Sequence, residues 1–421
     1  MIELKKEKER VILVGVCLMD IDQADRSLDE LSELAKTAGA ETVGKVIQSR
    51  EQIHPGTYVG KGKLEEIKDL VWEMEATGII CDDELTPVQM KNLQDELDVK
   101  VMDRTLLILD IFAARASTSE GKIQVELAQL KYRQTRLTGF GTALSRLGGG
   151  IGTRGPGEKK LEMDRRLIKN RIAQLNRELK DVKRHREITR EQRSKNQLPV
   201  IAIVGYTNAG KSTLLNTLTG AKILAEDKLF ATLDPTTRGL KLPGGQEILL
   251  TDTVGFIQKL PHHLIEAFKS TLEEAKYADM ILHVVDASNP QMDEQMFTVY
   301  ETLRNLEVGD KPVITAFNKQ DKIEEALIVR DFKADYTVKI SAKTGSGLDE
   351  LLETIEAALR DQKIAVEFLY DYKDAAKIQI IRKYGELTSE EYRDDGIYVT
   401  GYIPAEFYSK VSLGDSEKKR L

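Results

Sequence analysis

Residues 200–218 contain side chains and glycines that can bind phosphate. An apolar run leads directly into Gly205-Tyr-Thr-Asn-Ala-Gly-Lys-Ser212, which matches the pattern G-x-x-x-x-G-K-[ST]. Glycines at these positions let backbone N–H groups surround phosphate oxygens, and the helix that follows adds its dipole. We expect Lys211 to reach the β- and γ-phosphates and Ser212 to bind magnesium. The predicted contacts in this loop are Gly205, Tyr206, Thr207, Asn208, Ala209, Gly210, Lys211 and Ser212.

A second strand-like run ends in the motif D-x-x-G. An acid at the end of that strand can hold magnesium through water, and the N–H of the glycine can sense the γ-phosphate. A D-x-x-G motif some forty residues after a phosphate loop supports the prediction of a nucleotide site. It adds Asp252, Thr253, Val254 and Gly255 to the predicted contacts.

The base is expected to be guanine, because N-K-x-D and S-A-K follow in that order. The Asp321 carboxylate can accept hydrogen bonds from the N1–H and the exocyclic amine of guanine, whereas adenine offers neither donor in that position. Backbone N–H groups of the S-A-K loop can bind the guanine O6. These two motifs contribute Asn318, Lys319, Asp321, Ser341, Ala342 and Lys343. Together with the phosphate motifs they predict a guanine-nucleotide site that uses GTP as substrate.

Between the phosphate loop and D-x-x-G we expect a switch segment with a threonine that binds magnesium. The candidates are Thr232, Thr236 and Thr237. Spacing alone does not choose among them.

The elements around these motifs predict an α/β protein of several domains, because 421 residues exceed one compact core. Alternating strand and helix patterns predict a parallel α/β domain over 1–117. Two helices with heptad-spaced apolar residues predict an antiparallel hairpin over 118–197. A P-loop GTPase domain is expected over 198–362 and a small α+β domain over 363–421. Trp72, on an amphipathic helix, is expected in the core.

Charge is concentrated in the predicted hairpin. From Lys131 to Gln197 there are nineteen Lys or Arg against seven Asp or Glu, whereas the whole chain has a net charge of -7. The hairpin tip, residues 147–158, holds six glycines and one proline, which neither helix can propagate through. A basic arm with a glycine-rich tip indicates contact with a polyanion.

Taken together, these motifs resemble the HflX family of translational GTPases along essentially the full chain. The resemblance is carried by Phe230-Ala-Thr-Leu-Asp234, Asp252-Thr-Val-Gly-Phe256, the glycine-rich tip with Asp164-Arg-Arg166, Val59-Gly-Lys-Gly-Lys63 and Gln124-Val-Glu-Leu-Ala-Gln-Leu-Lys-Tyr132. It implies that Thr232 is the magnesium ligand, with Lys211, Asp252 and Gly255 beside it in catalysis. It adds Phe230, Ala231, Thr232, Leu233 and Asp234 to the nucleotide contacts.

The resemblance also implies binding to the large ribosomal subunit and a part in splitting stalled or idle ribosomes. Ribosomal RNA is a dense polyanion, so a basic arm gains affinity by counterion release. The RNA contacts expected near the tip are Arg133, Arg136, Arg146, Arg154, Lys159, Arg165 and Arg166. The alternatives are a GTPase for assembly of the large subunit and a nucleotide-gated RNA-binding adaptor.

Hydrolysis is expected to be slow without a partner. Ras-like enzymes place a water-orienting glutamine directly after D-x-x-G, whereas this chain has Phe256 there. A supplied catalytic group accelerates such reactions by about 10³–10⁵, so ribosomes are expected to stimulate this enzyme.

Composition predicts a cytoplasmic protein without a membrane span, and we expect a monomer. No apolar run approaches the roughly 18 residues that a spanning helix needs. Two cysteines in apolar strands, Cys17 and Cys81, indicate neither a disulfide framework nor a zinc site.

Overall fold

The computed structural model describes residues 8–144, 156–196, 198–220, 229–230, 235–259, 274–323 and 329–412. Three sheets follow one another along the chain, and a helical hairpin lies between the first and the second. The predicted α/β class is confirmed. Among the described residues, no helix is both long and apolar enough to cross a bilayer.

The first sheet has four parallel strands in the order β2-β1-β3-β4. Its elements are β1 (Arg10–Cys17), α1 (Ile21–Thr37), β2 (Glu41–Ser49), α2 (Lys61–Glu73), β3 (Gly78–Cys81), α3 (Pro87–Leu97), β4 (Lys100–Asp103) and α4 (Arg104–Arg115). Strand β1 is apolar from Val11 to Cys17 because both of its faces are covered there, as is typical of parallel strands. Alternate residues of β1 pack under α1 and α4 on one face and under α2 and α3 on the other.

Two details of this domain differ from the sequence-based expectations. The spacing of apolar residues predicts a helix from Ser27 to Ala38. Helix α1 begins six residues earlier, at Ile21, because the Asp20 carboxylate accepts from the amide of Asp22 and caps it. Its first turn is exposed, so no apolar period marks it. The expectation that Trp72 is in the core was wrong, since 85% of that side chain is exposed.

The hairpin consists of α5 (Ser119–Leu144) and α6 (Pro156–Asn196). Helix α6 has 41 residues and is therefore about 60 Å long. The guanidinium of Arg171 forms two hydrogen bonds with Glu126, and that of Arg165 donates to the carbonyl of Leu137 at 2.8 Å. Because later residues of α6 meet earlier residues of α5, the two helices are antiparallel, as predicted.

Helix α5 of the hairpin is fixed to the carboxyl edge of the first sheet by one arginine. Arg136 of α5 donates to the carboxylate of Asp103 at 2.8 Å and to the carbonyl of Leu85 at 3.0 Å. Its guanidinium also lies over the Tyr132 ring, 3.2 Å from the centroid. The side chain of Arg136, expected to contact RNA, is thus engaged inside the protein.

The second sheet has six strands in the order β10-β9-β8-β5-β7-β6, and only the pair β6-β7 is antiparallel. The elements are β5 (Val200–Gly205), α7 (Lys211–Thr219), β6 (Thr236–Lys241), β7 (Glu247–Asp252), β8 (Met280–Asp286), α8 (Met292–Asn305), β9 (Val313–Asn318), β10 (Tyr336–Lys339) and α9 (Leu348–Asp361). The nucleotide motifs therefore lie at the carboxyl ends of β5, β7, β9 and β10, where open parallel sheets bind ligands.

The third sheet is antiparallel, in the order β11-β13-β12. Its elements are β11 (Ile364–Tyr370), α10 (Ala375–Tyr384), β12 (Glu386–Arg393), β13 (Gly396–Ile403) and α11 (Ala405–Val411). Strand β12 was not expected, because Glu-Leu-Thr-Ser-Glu-Glu-Tyr-Arg has too few apolar residues to mark a strand. Among the described strands it pairs with β13 alone and so lies at an edge of the sheet.

Candidate nucleotide-binding site

The phosphate loop joins β5 to α7, and its path depends on two glycines. Gly205 has a φ of +154° and Gly210 a φ of +97°, conformations that L side chains rarely adopt. A Cβ at Gly210 would collide with the side-chain amide of Asn318. The glycines of the motif are therefore needed for both conformation and space.

Lys211 begins α7 with its ammonium buried under the loop. Its Nζ donates to the carbonyl of Tyr206 at 2.8 Å, and the side chain is almost fully buried. Burial lowers the pKa of Lys211 to about 8, against the opposing effect of Asp252. Because a buried ammonium with one carbonyl partner is poorly solvated, binding to phosphate oxygens would stabilise its charge.

The hydroxyl of Ser212 and the carboxylate of Asp252 meet beside the loop. The Ser212 Oγ donates to the Asp252 Oδ2 at 2.7 Å, because β7 pairs with β5 and brings the end of each strand to one edge. Asp252 is fully buried. Hard oxygen donors of this kind fit Mg²⁺, which is bound through few protein ligands, with water and phosphate oxygens completing its shell.

Gly255 lies directly against the phosphate loop. A Cβ at this position would be 2.8 Å from Thr207 Cγ2, 2.9 Å from Thr207 Cα and 3.0 Å from the Lys211 Nζ. The neighbouring Phe256 is hydrogen-bonded to the loop on both sides, accepting from the amide of Thr207 at 2.8 Å and donating to the carbonyl of Gly205 at 3.1 Å. Only glycine fits between these groups.

The side chain of Asn318 joins three of the motifs. Its Nδ2 donates to the carbonyl of Ala209 at 2.8 Å, and its Oδ1 accepts from the amide of Ala342 at 2.9 Å. The residue is buried. A single amide thus fixes the distance between the phosphate loop and the two base-reading segments.

Asp321 is held as an acceptor by Ser341. The Ser341 Oγ donates to the Asp321 Oδ1 at 2.6 Å, and this hydrogen bond is the main reason that the pKa of Asp321 is lowered. The carboxylate is exposed and charged, as the expected pairing with guanine requires. Lys343 is exposed at the rim of the same loop.

The switch segment is described only in part. Ala231, Thr232, Leu233 and Asp234 lie outside the described residues, so the choice of threonine stays a prediction. Of the two other candidates, Thr236 is opposite Asp252 in the β6-β7 pair. The Thr237 hydroxyl is 3.0 Å from the Thr251 hydroxyl.

Three other residues that were predicted to contact the nucleotide have side chains engaged inside the protein: Phe230, Thr253 and Val254. The Phe230 ring packs edge-on against Phe112 of α4, with centroids 4.6 Å apart. The Thr253 hydroxyl donates to the carbonyl of Ile203 at 2.8 Å, and Val254 is buried. The side chains of Phe230, Val254 and Phe256 belong to a core cluster that continues into α1, α4 and α5.

Tyr206 connects the phosphate loop to the first domain, which the sequence did not reveal. Its hydroxyl donates to the carboxylate of Glu30 and accepts from the amide of Gln258 at 2.8 Å. Burial and the charge of Glu30 raise the pKa of Tyr206, so the hydroxyl keeps its proton. This phenol therefore holds the segment after D-x-x-G against α1.

Arg104 completes this connection at the carboxyl edge of the first sheet. Its guanidinium forms ion pairs with Asp82 and Glu30 at 2.7 and 2.8 Å, and it is fully buried. It also donates to the carbonyl of Gln258 at 3.3 Å, while the ammonium of Lys259 pairs with Asp82. We call these six residues, Tyr206, Glu30, Arg104, Asp82, Gln258 and Lys259, the Arg104 network.

Few of the expected RNA contacts can be located in detail. Arg146 and Arg154 lie outside the described residues, and for Lys159 only the backbone in α6 is described. Arg166 is exposed on α6, as Arg133 is on α5, whereas Arg165 is half-buried and donates to α5. Within the described part, the exposed arginines therefore fit an RNA contact better than Arg165 does.

Comparisons with known proteins cover most of the chain. Three family profiles match in succession: "GTP-binding GTPase N-terminal" over 25–113, "GTP-binding GTPase Middle Region" over 115–193 and "50S ribosome-binding GTPase" over 200–319. Among solved structures, a GTP-binding protein from the archaeon Sulfolobus solfataricus in complex with GDP is 27% identical, with a TM-score of 0.45 over 83% of this chain and 98% of that chain.

Sequence relatives extend over nearly the whole chain. GTPase HflX of Lacrimispora saccharolytica is 68% identical over 99% of this chain and 98% of its own length. GTPase HflX of Caldanaerobacter subterraneus subsp. tengcongensis is 52% identical over 97% and 94%, and that of Escherichia coli K12 is 44% identical over 83% of each. With this identity along the full chain and a complete set of guanine-nucleotide motifs, the chain belongs to the HflX family of GTPases.

Proposed function

We propose that this GTPase binds the large ribosomal subunit and promotes the dissociation of ribosomal subunits or the rescue of stalled ribosomes. The proposal is supported by the profile described as a 50S ribosome-binding GTPase. It is also supported by the basic hairpin, since a localised positive charge favours a nucleic-acid partner.

The observation that carries the proposal is the continuous connection between the nucleotide segments and the hairpin. Phe230 and Phe256 pack in one core with α4 and α5. Arg136 fixes α5 to Asp103, the residue just before Arg104 of the Arg104 network. A change on hydrolysis in the segment around Phe230, or in the segment after D-x-x-G, would therefore reach the hairpin through packed side chains.

In the proposed mechanism, each motif has one role. Lys211 binds the β- and γ-phosphates, and the amide of Gly255 donates to the γ-phosphate. Ser212 and Thr232 would hold Mg²⁺, with Asp252 accepting from the Ser212 hydroxyl, and the ion would neutralise charge on the phosphates. Asp321, oriented by Ser341, selects guanine. The remaining motif residues fix the nucleotide through backbone groups.

We further propose that hydrolysis is slow until a ribosome is bound. The Phe256 side chain is buried in the shared core and has no polar atom to orient water. A group from the ribosome, or one rearranged by it, would complete the site. GTP would then set the time that the factor stays on the ribosome.

The rest of the proposal concerns the setting in the cell and the organisation of the chain. We propose a cytoplasmic monomer that uses Mg²⁺ and GTP, with domains over 1–117, 118–197, 198–362 and 363–421. The RNA contacts we propose are Arg146, Arg154, Lys159 and Arg166, with Arg165 supporting the hairpin through the carbonyl of Leu137.

The decisive experiment is steady-state GTP hydrolysis by the full chain alone, with small subunits and with large subunits. We expect large subunits to stimulate the rate by about 10³-fold or more. Arg166→Gln should weaken this stimulation, whereas Lys276→Gln, a surface cation of the GTPase domain, should leave it unchanged. If neither subunit stimulates hydrolysis, the ribosome is not the activator.

Two alternative functions make different predictions in the same assays. An assembly GTPase would respond to immature large subunits rather than mature ones, and its depletion would accumulate precursor particles. A nucleotide-gated RNA-binding adaptor would keep a slow rate with ribosomes present, while its RNA affinity would depend on GTP.

A further inference from the structure

Asp286 forms an ion pair with the lysine of the N-K-x-D motif. The Lys319 Nζ is 2.7 Å from the Asp286 Oδ2, and the exposed fractions of the two side chains are 18% and 14%. Asp286 is the last residue of β8, and none of the nucleotide motifs includes it. It therefore contacts a predicted base-reading residue from outside the motifs.

The carboxylate of Asp286 is itself fixed on its other oxygen. The Oδ1 accepts from the Ser288 hydroxyl at 2.6 Å and from the Ser288 amide at 3.1 Å. One oxygen is thus used to hold the residue in place and the other to hold the lysine. A carboxylate fixed in this way sets the position of its cationic partner, rather than following it.

The backbone of Lys319 is fixed at the same place. Asp286 is opposite Asn318 in the parallel pair β8-β9, and the amide of Ala287 donates to the carbonyl of Asn318 at 3.0 Å. Lys319 has a φ of 65°, in the left-handed region, so its side chain leaves the strand in a direction that an extended residue would not give. Both ends of the lysine are therefore constrained by contacts within the protein.

We propose that Asp286 is a positioning residue for guanine-nucleotide binding, which holds the Lys319 side chain in the orientation that covers the base. A free lysine loses much rotamer entropy when it is ordered, and a preorganised one avoids that loss on binding. Its methylene chain can then pack on the guanine ring while the ammonium stays paired. The inference rests on the proposed base-reading role of N-K-x-D.

The test measures nucleotide dissociation constants by titration with N-methylanthraniloyl-GDP and -GTP, on the purified full chain. We expect Asp286→Asn to weaken GDP and GTP alike, by roughly tenfold. Lys319→Gln should weaken them similarly, and the double variant should be no weaker than the weaker single variant. Losses that multiply in the double variant would show that Asp286 does not act through Lys319, and would overturn the proposal.

Inorganic pyrophosphate separates positioning of the base from general loosening of the site. It competes with the labelled GDP for the phosphate loop alone, so Asp286→Asn should leave its inhibition constant unchanged. An equal loss for pyrophosphate and GDP would contradict the proposal. Glu307→Gln, which breaks the exposed pair with Lys276, is the matched control and should change neither value.

Two further variants keep the result interpretable. If Asp286→Asn does not fold, Ser288→Ala removes the hydroxyl that holds the Asp286 Oδ1 and should give a smaller loss in the same direction; no loss would overturn the proposal. Asp321→Asn tests the underlying site, because it should reduce the preference for GDP over ADP. If that preference is unchanged, the assignment of N-K-x-D fails independently of Asp286.

Discussion

The phenol of Tyr206, within the phosphate loop, donates to the carboxylate of Glu30 in the first helix of the chain, 176 residues away in sequence. The same oxygen accepts from the amide of Gln258, just after D-x-x-G. One hydroxyl thus joins the phosphate loop, the segment after D-x-x-G and helix α1. Any movement of Gln258 relative to the loop must break or stretch one of these hydrogen bonds.

Tyr206→Phe should release the segment around Gln258 without disturbing the loop. The Gln258 amide loses its acceptor, so its hydrogen exchange should be faster by roughly fivefold or more, because one hydrogen bond contributes about 1 kcal/mol. Exchange read out by NMR or mass spectrometry on the nucleotide-free protein would measure this. Tyr336→Phe, which removes a tyrosine–Asp361 hydrogen bond on β10, is the control. Unchanged exchange at Gln258 would show that this bond does not restrain the segment.

Arg104→Met should strongly destabilise the protein. Two carboxylates, Asp82 and Glu30, would lose the buried cation that pairs with both of them. Burial alone would raise the pKa of Asp82, but Arg104 and Lys259 hold it below its usual value. Breaking a buried pair by removing one partner costs about 3–5 kcal/mol.

Chemical denaturation would measure that loss as a lower denaturant concentration at the midpoint of unfolding. The control is Arg10→Met, which removes an exposed pair with Glu75 and should cost at most about 1 kcal/mol. A similar small effect for Arg104→Met would mean that water compensates the carboxylates. Lysine should not restore stability at 104, because it lacks the planar group that reaches both acids.

The nucleotide motifs could be predicted from sequence because each is a short local pattern with fixed spacing. The Arg104 network could not, since its members come from five separate segments and its charged members look like ordinary surface charges. Arg104 and Glu30 are 74 residues apart, and only the parallel order of β1, β3 and β4 brings their helices together.

Secondary structure was predictable where burial imposes a period. Helix α6 shows an apolar heptad and was predicted as one long helix. The exposed first turn of α1 and the edge strand β12 have no buried apolar face that a pattern could reveal. Trp72 was misplaced because a large apolar residue on a helix says nothing about which face the sheet covers. The limits of the four domains stay a prediction.

Acid should destabilise the GTPase domain through His283 and Asp331. Burial lowers the pKa of His283, so the folded protein holds it neutral while the unfolded chain takes up a proton below about pH 6.5. Burial alone would raise the pKa of Asp331. Hydrogen bonds hold it below its usual value, including those from the hydroxyls of Tyr300 at 2.6 Å and Thr315 at 2.7 Å.

Both shifts have the same sign, because the unfolded chain binds more protons than the folded one at acidic pH. The stabilisation from both groups is therefore fully present near pH 7. The free energy of unfolding falls as the unfolded chain protonates His283, and it falls further near pH 4 through Asp331. Melting temperature between pH 7 and pH 5 measures the His283 part. His283→Gln should flatten the curve in that interval, and an unchanged slope would assign the loss to other groups. Half-buried His54→Gln, in the loop before α2, serves as the control.

Gly255→Ala should separate nucleotide binding from hydrolysis. The new Cβ would be within 3.0 Å of Thr207 and Lys211, so Gly255 must move away from the phosphate loop. GDP contacts only the loop and the base motifs, and its affinity should change by about threefold or less. The amide expected to stabilise the γ-phosphate would be displaced, and removal of one such donor costs about 10²–10³ in rate.

Single-turnover GTP hydrolysis, measured with and without large ribosomal subunits, would test this separation. The matched control is Gly309→Ala, where a Cβ meets nothing within 4 Å. A variant with unchanged hydrolysis would show that the chain beyond D-x-x-G can shift to accept the methyl group. The close approach of Gly255 to Thr207 would then not be needed for hydrolysis. Loss of GDP binding as well would instead place Gly255 among the residues that shape the phosphate loop itself.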